Sequence, residues 1–362
     1  MKKIFLALFT MLFVSTCVFA QSDLQVLAVV KYNKNETITL KQLKNEVKIA
    51  EKEHNRKLTL EERKTMLDSL INQKLVLQAA QKAGVSIPDS AVDAQFVATI
   101  AQRIGIPVQT EAQLEQIIMQ NTNLSLDEFV KQGSGRSKKE FKEMVKNTAI
   151  IQQYIIYSNQ EELQKVAPTD KQIRMFYEAN KSNFVWKDMA ELFVVVVPKG
   201  DNAGAAKIKA GDLRDQLMNK KTSKDQIKIQ SKNGEAGYSV INDIFENTKP
   251  YADILGLTYE SYLGLFQEKE GFVSDVFEYN DQYLVFNVVK KYGAKMLAIS
   301  DIVRPGTTIT VYDYIRAGLT QQLQGAFLQQ ALDSAIAELK TTDNVEMKKT
   351  GADLDKLLNW GD

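Results

Sequence analysis

A helix-start signature recurs between residues 39 and 172, and it constrains the fold more than any other feature of the sequence. In this capping box, a Ser or Thr side chain accepts a bond from the backbone N–H three positions on, where a Glu or Gln bonds back. Each signature marks the start of one helix, so six of them predict six short helices. The pairs are Thr39/Gln42, Thr59/Glu62, Thr110/Gln113, Ser125/Glu128, Ser137/Glu140 and Thr169/Gln172.

Apolar residues recur at helical spacing inside these segments. After the second signature, Leu67, Ile71 and Leu75 fall on one helix face, and Gly84 is suited to end that helix. Before the first signature, LQVLAVVKYNKNETITL predicts a strand, a turn through Asn33 to Asn35, and a return into a helix. The sequence up to about residue 180 therefore predicts a mainly helical domain.

The pattern changes in MAELFVVVVPKG, residues 189 to 200, which is apolar, largely β-branched and ended by Pro198 and Gly200. Such a run predicts a buried central strand. A helix, a turn, a second helical stretch near residues 251 to 268 and two strands follow, the last of them in YNDQYLVFNVVKK, residues 279 to 291. This order predicts a compact α+β unit of ordinary domain size, about 100 residues.

After Pro305 the chain returns to helical spacing, with apolar residues mostly four apart from Ile315 to Ile336. A short polar stretch then leads to NVEMK, which could form a strand. We expect a long amphipathic helix at the end of a chain to pack on another domain rather than stand free.

The first twenty residues combine a basic MKK start, an apolar IFLALFTMLFV run and a small-x-small ending. They predict a signal peptide cleaved between Ala20 and Gln21. An uncleaved anchor is disfavoured because the run is shorter than the roughly 20 residues that span a bilayer. A lipoprotein cleaved before Cys17 is a further alternative, disfavoured because Thr16 is larger than the Gly or Ala usual there. No other segment of the sequence is a candidate to span a membrane.

The scarcity of cysteine and histidine limits the catalytic and metal-binding sites that this chain can form. After cleavage no cysteine remains, which excludes disulfides, a thiolate nucleophile and cysteine metal sites. The only histidine, His54, lies in the polar run EKEHNRK without an HExxH or GxSxG motif. We therefore predict no metal and no organic cofactor, although a site built from carboxylates alone stays open.

Charge gives no indication of a nucleic-acid partner. Lys and Arg number 46 against 45 Asp and Glu, and removing Lys2 and Lys3 with the signal leaves 44 against 45. Local basic clusters lie close to acidic residues, so solvated helix faces explain them better than a phosphate-binding track.

Two segments carry a resemblance to a known family. LAVVKYNKNETITLKQLKNEV and LDSLINQKLVLQAAQKAGVSIPDSAVDAQF, followed by the α+β unit and a final helix, resemble the SurA/PrsA-like family of periplasmic chaperones. The resemblance implies an α+β multidomain fold in which a C-terminal helix completes a mainly helical N-terminal chaperone domain, with a parvulin-like α+β domain inserted. The implied boundaries are a signal peptide at 1–20, a SurA-like domain at 21–184, a parvulin-like domain at 187–292 and a C-terminal helix and tail at 293–362.

Parvulin-type prolyl isomerases typically carry a histidine in the first strand and another in the last strand. At those positions this sequence has Leu192, in ELFV, and Leu284, in QYL. The family's Gly-Gly-x-x-Gly-Trp is echoed by GEAGY, which places Gly237 and Tyr238 with Tyr283 in a vestigial cleft. Catalysis is attributed to a polar cluster around the prolyl amide, whose isomerisation barrier is about 18–20 kcal/mol. Without both histidines, the resemblance implies a domain that keeps its fold and has lost its activity.

If the isomerase activity is lost, the resemblance implies that the protein functions by binding other polypeptides. SurA-like proteins hold unfolded outer-membrane proteins in the periplasm, which implies unfolded polypeptides as partners and a periplasmic location. Aromatic side chains near the end of the helical domain are the candidates to line a client groove: Tyr154, Tyr157, Phe176 and Tyr177.

Three alternatives remain open. The domain could be an active prolyl isomerase that uses groups such as Asp275, Tyr238 or Tyr283. It could be an unrelated α+β domain, since such element orders are common. The chain could also be a surface antigen or adhesin that uses the fold as a spacer, although repeats and low-complexity stalks are absent from the sequence.

Overall fold

The structure is a computed structural model that describes residues 24–233 and 236–360. The predicted cleavage site at Ala20 and Gln21 lies outside the described residues, as does Cys17. The first two residues of the GEAGY motif also lie outside them.

The chain divides into two compact units. The first unit is formed by the chain up to Val166 and from Leu323 onward, and the second is Ala167–Gln322. The second unit therefore extends on both sides of the 187–292 segment to which the sequence assigns the parvulin-like domain.

The helices and strands follow one another in a mixed order along the described chain. No helix among them is both long enough and apolar enough to cross a membrane. In chain order the elements are β1 Val26–Val30, β2 Glu36–Thr39, α1 Leu40–His54, α2 Leu60–Lys82, α3 Asp89–Ile104, α4 Glu111–Thr122, α5 Leu126–Ser134, α6 Lys138–Ser158, α7 Gln160–Lys165, α8 Asp170–Asn180, β3 Val185–Trp186, β4 Met189–Pro198, α9 Ala203–Met218, α10 Lys224–Gln230, β5 Ser239–Glu246, α11 Lys249–Ile254, α12 Tyr259–Gln267, β6 Phe277–Tyr279, β7 Gln282–Tyr292, β8 Lys295–Met296, α13 Val311–Leu339, β9 Val345–Met347 and α14 Gly351–Leu358.

All six predicted capping residues start helices. Five pairs form both bonds of the capping box. The sixth forms half of it: Thr110 accepts from the Gln113 N–H, while the Gln113 side chain accepts from the backbone of Gln109. A further capping box, Ser223 with Gln226, starts α10. Neither this box nor this helix was predicted from the sequence.

The first unit is built on a three-stranded antiparallel sheet in which β1 lies between β2 and β9. The predicted strand, turn and return into a helix are present, but a four-residue strand that was not predicted, β2, lies between the turn and α1. NVEMK supplies β9, so residues from near the end of the chain complete the first sheet. The main core packs α1 and α2 against this sheet.

A buried arginine ties the C-terminal tail to this core. Arg63, in α2, donates from Nη1 to the carbonyl oxygens of Leu358 at 2.7 Å and Trp360 at 3.0 Å. The guanidinium lies 4.7 Å from the centre of the Trp360 ring, which adds a cation–π contact. The tail is therefore a structural part of the first unit.

A second cluster in the first unit joins α3, α4, α5 and α6. We call it the satellite cluster, and an edge-to-face contact between Phe96 and Phe141, with ring centres 5.9 Å apart, lies within it. Its fully or nearly buried members are Val92, Phe96, Val97, Ile100, Leu114, Ile118, Leu126, Val130, Phe141 and Val145.

The second unit contains a four-stranded antiparallel sheet of order β5-β4-β7-β6. The predicted strand at 189–200 is β4, in the middle of this sheet. The edge strand β5 was not predicted from the sequence. The helical stretch predicted near 251–268 is present as two helices, α11 and α12, with a break at Leu255–Thr258.

Helices cover both faces of this sheet. One face, which we call the closed face, packs against α11 and α12. The opposite face packs against α9 and α10. Since the side chains of a strand alternate between faces, both central strands should be largely apolar in their middle, as they are apart from Asn287 in β7.

The turn between α11 and α12 is held tightly against the sheet. Gly256 has a backbone φ of +69°, a conformation that favours glycine. A Cβ atom there would lie 2.3 Å from two ring carbons of Tyr279, in β6. On either side of the glycine, Leu255 and Leu257 are buried in the closed face. The turn thus seals the closed face.

Lowering the pH should destabilise the first unit, because the carboxylates of its capping boxes become protonated. The Arg56 guanidinium beside Glu62, with the Thr59 backbone bond, lowers the pKa of Glu62 from 4.5 to about 2. A carboxyl whose pKa is lowered by folding adds stability above its unfolded pKa and loses it as the pH falls through the folded value. We therefore expect Glu62→Gln to remove part of the fall in melting temperature between pH 4.5 and about 2. Thermal melts against pH measure this.

Glu61→Gln is the matched control, because Glu61 is the neighbouring first-turn carboxylate and makes no bond to the cap. This control should keep the wild-type pH profile. Equal profiles for all three proteins would contradict the assignment to Glu62.

Because the turn at Gly256 packs tightly against the sheet, substituting this glycine should destabilise the second unit. Gly256→Ala should destabilise the second unit by about 1–3 kcal/mol through overpacking against Tyr279, plus about 1–2 kcal/mol for the left-handed backbone. Gly264→Ala, in α12 with no atom within 4 Å of the new Cβ, is the control and should be neutral or stabilising. Urea unfolding measures both, and equal free energies of unfolding would show that the turn is not closely packed.

Candidate functional site

The two positions at which the family resemblance implies histidines lie on the same face of the sheet. Leu192 in β4 and Leu284 in β7 are 0% and 3% exposed, and both belong to the core of the closed face. They do not pair with each other: Leu192 lies opposite Val288, and Leu284 opposite Val196. Both side chains therefore fill the apolar layer between the sheet and the α11–α12 segment.

Aromatic side chains fill the rest of this layer. Tyr262 is fully buried, and its ring packs edge to face against Phe266 with centres 5.1 Å apart. Its hydroxyl donates to the Glu246 carbonyl oxygen at 2.7 Å, and burial raises its pKa well above the usual range. Tyr262 is therefore a neutral donor that is already engaged, and it is not available as a proton-transfer group.

Polar groups are scarce around the two leucines. Within the described part of the second unit, Asn287 is the only amide or charged residue that is buried as a whole, although the Oδ1 atom of Asn247 is also buried. The Nδ2 of Asn287 donates to the Phe272 carbonyl oxygen at 2.8 Å, so it holds the adjoining chain segment in place. The closed face offers little with which to polarise a prolyl amide.

Gly237, Tyr238 and Tyr283 were predicted to lie in one vestigial cleft with these positions. Tyr283 and Tyr238 instead pack in the core of the opposite face. The Tyr238 hydroxyl donates to the Ile227 carbonyl oxygen at 3.0 Å, and burial raises its pKa. At Gly237, φ is +68° and Lys209 Nζ closes over the backbone. The structure thus separates these residues from Leu192 and Leu284, because side-chain alternation along β7 sends Tyr283 and Leu284 to different faces.

Asp275 belongs to neither layer. Its carboxylate is exposed and accepts from Arg214 Nη2 at 2.7 Å, while Arg214 Nε donates to the Ser274 carbonyl oxygen. The pair fixes the loop before β6 against α9. Asp275, Tyr238 and Tyr283 therefore do not form one constellation.

The four predicted client-lining residues differ in accessibility. In the first unit, Tyr157 is 64% exposed at the end of α6, whereas Tyr154 is partly buried against the main core. In the second unit, Phe176 is 40% exposed on α8. Tyr177 is buried, and its hydroxyl donates to the Leu297 carbonyl oxygen at 2.9 Å, so its placement in a client groove is not supported. Helical spacing turns Tyr177 inward and its neighbour Phe176 outward.

Sequence reasoning missed other exposed apolar side chains. Val185 and Met296 are exposed and pair across the short β3–β8 ladder of the second unit. Ile156, beside Tyr157, is exposed in the first unit. Residues at single strand or helix positions carry no pattern that reveals exposure, so these side chains could not be identified from the sequence.

The described residues contain no cluster of three or more His, Cys, Asp or Glu side chains arranged to hold a metal ion. His54 is exposed in the last turn of α1. Asn55, which follows it, ends the helix in a left-handed conformation. This histidine lies at a helix end rather than in a site.

Comparison with known proteins identifies the second unit. Residues 168–303 match the family model of the PPIC-type PPIase domain. The chain is 24% identical over 297 residues to the foldase protein PrsA of Clostridium perfringens, covering 80% of this chain and 74% of that protein.

Two structures share low overall similarity with the chain. One of the two SurA-like chaperones described from Campylobacter jejuni is 17% identical to this chain, with a TM-score of 0.31. The match covers 90% of this chain and 99% of that structure. The foldase PrsA of Streptococcus pneumoniae is 13% identical and covers 90% and 96%, with a TM-score of 0.28. At these TM-scores, neither structure supports an argument about the arrangement of this chain.

The domain match begins at α8 and ends beyond β8, close to the limits of the second unit. The α+β fold and the family predicted from the sequence are both confirmed. Residues 168–303 belong to the PPIC-type PPIase domain family, and the chain as a whole resembles the SurA/PrsA-like proteins, among them the foldase PrsA.

Proposed function

We propose that this protein is a periplasmic chaperone that binds unfolded outer-membrane or other exported proteins, and that its isomerase activity has been lost. The observation that carries this proposal is the closed face. Leu192 and Leu284 are buried there beneath a sealed turn, where the family resemblance implies polar catalytic groups. Binding is the function that does not need those groups.

The relatives support the binding role. The curated relative is named a foldase, and one of the similar structures is described as a SurA-like chaperone. Holding an unfolded chain requires accessible apolar surface without a fixed sequence code. Tyr157 with Ile156 in the first unit, and Phe176 with Met175 in the second, supply exposed apolar side chains of this kind.

An active isomerase is the second candidate, favoured by the PPIC-type domain match. It would have to work without histidine. Asp275 is paired with Arg214, while Tyr238 and Tyr283 pack on the face opposite the two leucines. No common site for a prolyl peptide joins these groups, so the geometry favours the binding function.

An aggregation assay tests the proposed function. The chain beginning at Gln21 should suppress aggregation of an unfolded outer-membrane β-barrel protein diluted from denaturant. Tyr157→Ser and Phe176→Ser should each weaken suppression, because each removes about 1 kcal/mol of apolar contact, roughly a fivefold change in the concentration required. Light scattering against chaperone concentration gives the value.

Ile208→Ser is the matched control, since Ile208 is 69% exposed on α9 but is not a proposed contact. It should leave suppression unchanged. Equal suppression of an unfolded soluble exported protein would broaden the client class, whereas no suppression of either client by the wild-type chain would rule out the chaperone function.

A further inference from the structure

A small open cavity lies in the satellite cluster of the first unit. Its volume is about 170 Å³, and α3, α5 and α6 form its walls. The lining residues are Ile100, Arg103, Phe129, Val130, Gln132, Gly133, Ser134 and Phe141.

The floor of this cavity is apolar. Ile100, Val130 and Phe141 are 2%, 2% and 7% exposed, and the partly buried Phe129 ring forms a wall. Ser134, a polar residue of the lining, donates to the Val130 carbonyl oxygen at 2.7 Å and is satisfied. Such a floor gives water few hydrogen-bonding partners, and apolar cavities of about 150 Å³ are known to admit benzene. The space therefore suits one aromatic ring.

The rim carries a cation in a suitable position. Arg103 is exposed and donates from Nη2 to the Gly133 carbonyl oxygen at 3.2 Å. In the part of the chain that the structure describes, Arg103 has no carboxylate partner within ion-pair distance. An arginine guanidinium stacks favourably on an aromatic face. Charge at the rim thus favours an aromatic ring over an aliphatic group of equal size.

Gly133 keeps the mouth of the cavity open. It lies within α5, where glycine costs roughly 0.5–1 kcal/mol relative to alanine. The nearest side-chain atoms to a Cβ at this position would be those of the Arg103 guanidinium, at 3.5 Å or more, which is ordinary contact. Packing therefore does not require a glycine here, whereas a larger side chain would enter the cavity mouth.

We propose that this cavity is a binding pocket for one aromatic side chain of an unfolded client polypeptide. The proposal rests on the chaperone function and adds a residue preference to it. A Phe or Tyr ring would insert between Phe129 and Phe141, with its outer face beneath the Arg103 guanidinium. Aromatic contacts of this kind add to the free energy of burial alone.

Methyl NMR of the full chain tests the pocket, with N-acetyl-phenylalanine amide as the probe. The Ile100 δ1 methyl resonance should shift saturably, because an inserted ring imposes a ring-current shift. N-acetyl-cyclohexylalanine amide has a similar shape without a π face and should bind about two- to fivefold more weakly. No shift at Ile100 with the aromatic probe would overturn the proposal.

Variants locate the binding. Gly133→Met should weaken the aromatic probe by about tenfold or more by filling the cavity, whereas Gly133→Ala should retain most of the affinity. Arg103→Gln should weaken the phenylalanine probe by about two- to fivefold and leave the cyclohexyl probe unchanged. Thermal melts check that each variant is folded. Wild-type affinity in Gly133→Met would place the ring elsewhere and contradict the proposal.

Aggregation assays on the same variants separate this proposal from the chaperone function. If Gly133→Met loses both probe binding and several-fold of its suppression, the pocket is a client site. Lost probe binding with unchanged suppression would overturn the client role of the pocket and leave the chaperone function standing. Absence of suppression by the wild-type chain would reject the chaperone function, and with it the client role of the pocket.

Discussion

The pairing of β4 with β7 between two layers of helices is the constraint on which the second unit depends. Helices cover both faces of the sheet, so each side chain in the middle of these strands faces a core. An unpaired polar side chain in either core would cost about 1–3 kcal/mol. In this chain Leu192 and Leu284 fill that core, so the side chains that stabilise the sheet also leave the proposed catalytic positions without polar groups.

Local signals predicted much of the first unit, because a capping box needs only four consecutive residues. The tertiary features were harder to predict. β5 was missed because Asn242 and Asp243 interrupt its apolar pattern, as is common in an edge strand with one open side. The break at Gly256 was missed because the apolar spacing on both sides is helical, and only the contact with Tyr279 shows why the chain turns there.

The candidate site was predicted only in part. The sequence identified Leu192 and Leu284 as positions of interest, and alignment with a family pattern was enough for that. The sequence could not assign Tyr283 and Tyr238 to the opposite face, because the face on which a side chain packs is known only once the sheet has been built. Nor could spacing reveal the pocket beside Gly133, whose walls come from three helices separated along the chain.

Binding by this protein would use surfaces on stable scaffolds. In the first unit, Arg63 holds the tail through Leu358 and Trp360, and β9 completes the sheet, so distant parts of the chain share one core. Exposed side chains such as Tyr157, and the pocket beneath Arg103, lie on helices packed within this unit. Because a rigid support loses little conformational entropy when a client binds, modest apolar contacts can still give useful affinity.

We propose that the PPIC-type domain keeps its fold and has lost its isomerase activity. The most direct measurement is cis-to-trans isomerisation of a short Xaa-Pro peptide in the presence of the full chain, with an active parvulin-type isomerase as positive control. We expect the uncatalysed rate, with time constants of tens to hundreds of seconds, at every concentration of the chain. A rate that increases in proportion to the concentration of the chain would contradict this proposal and show that the closed face admits a prolyl substrate.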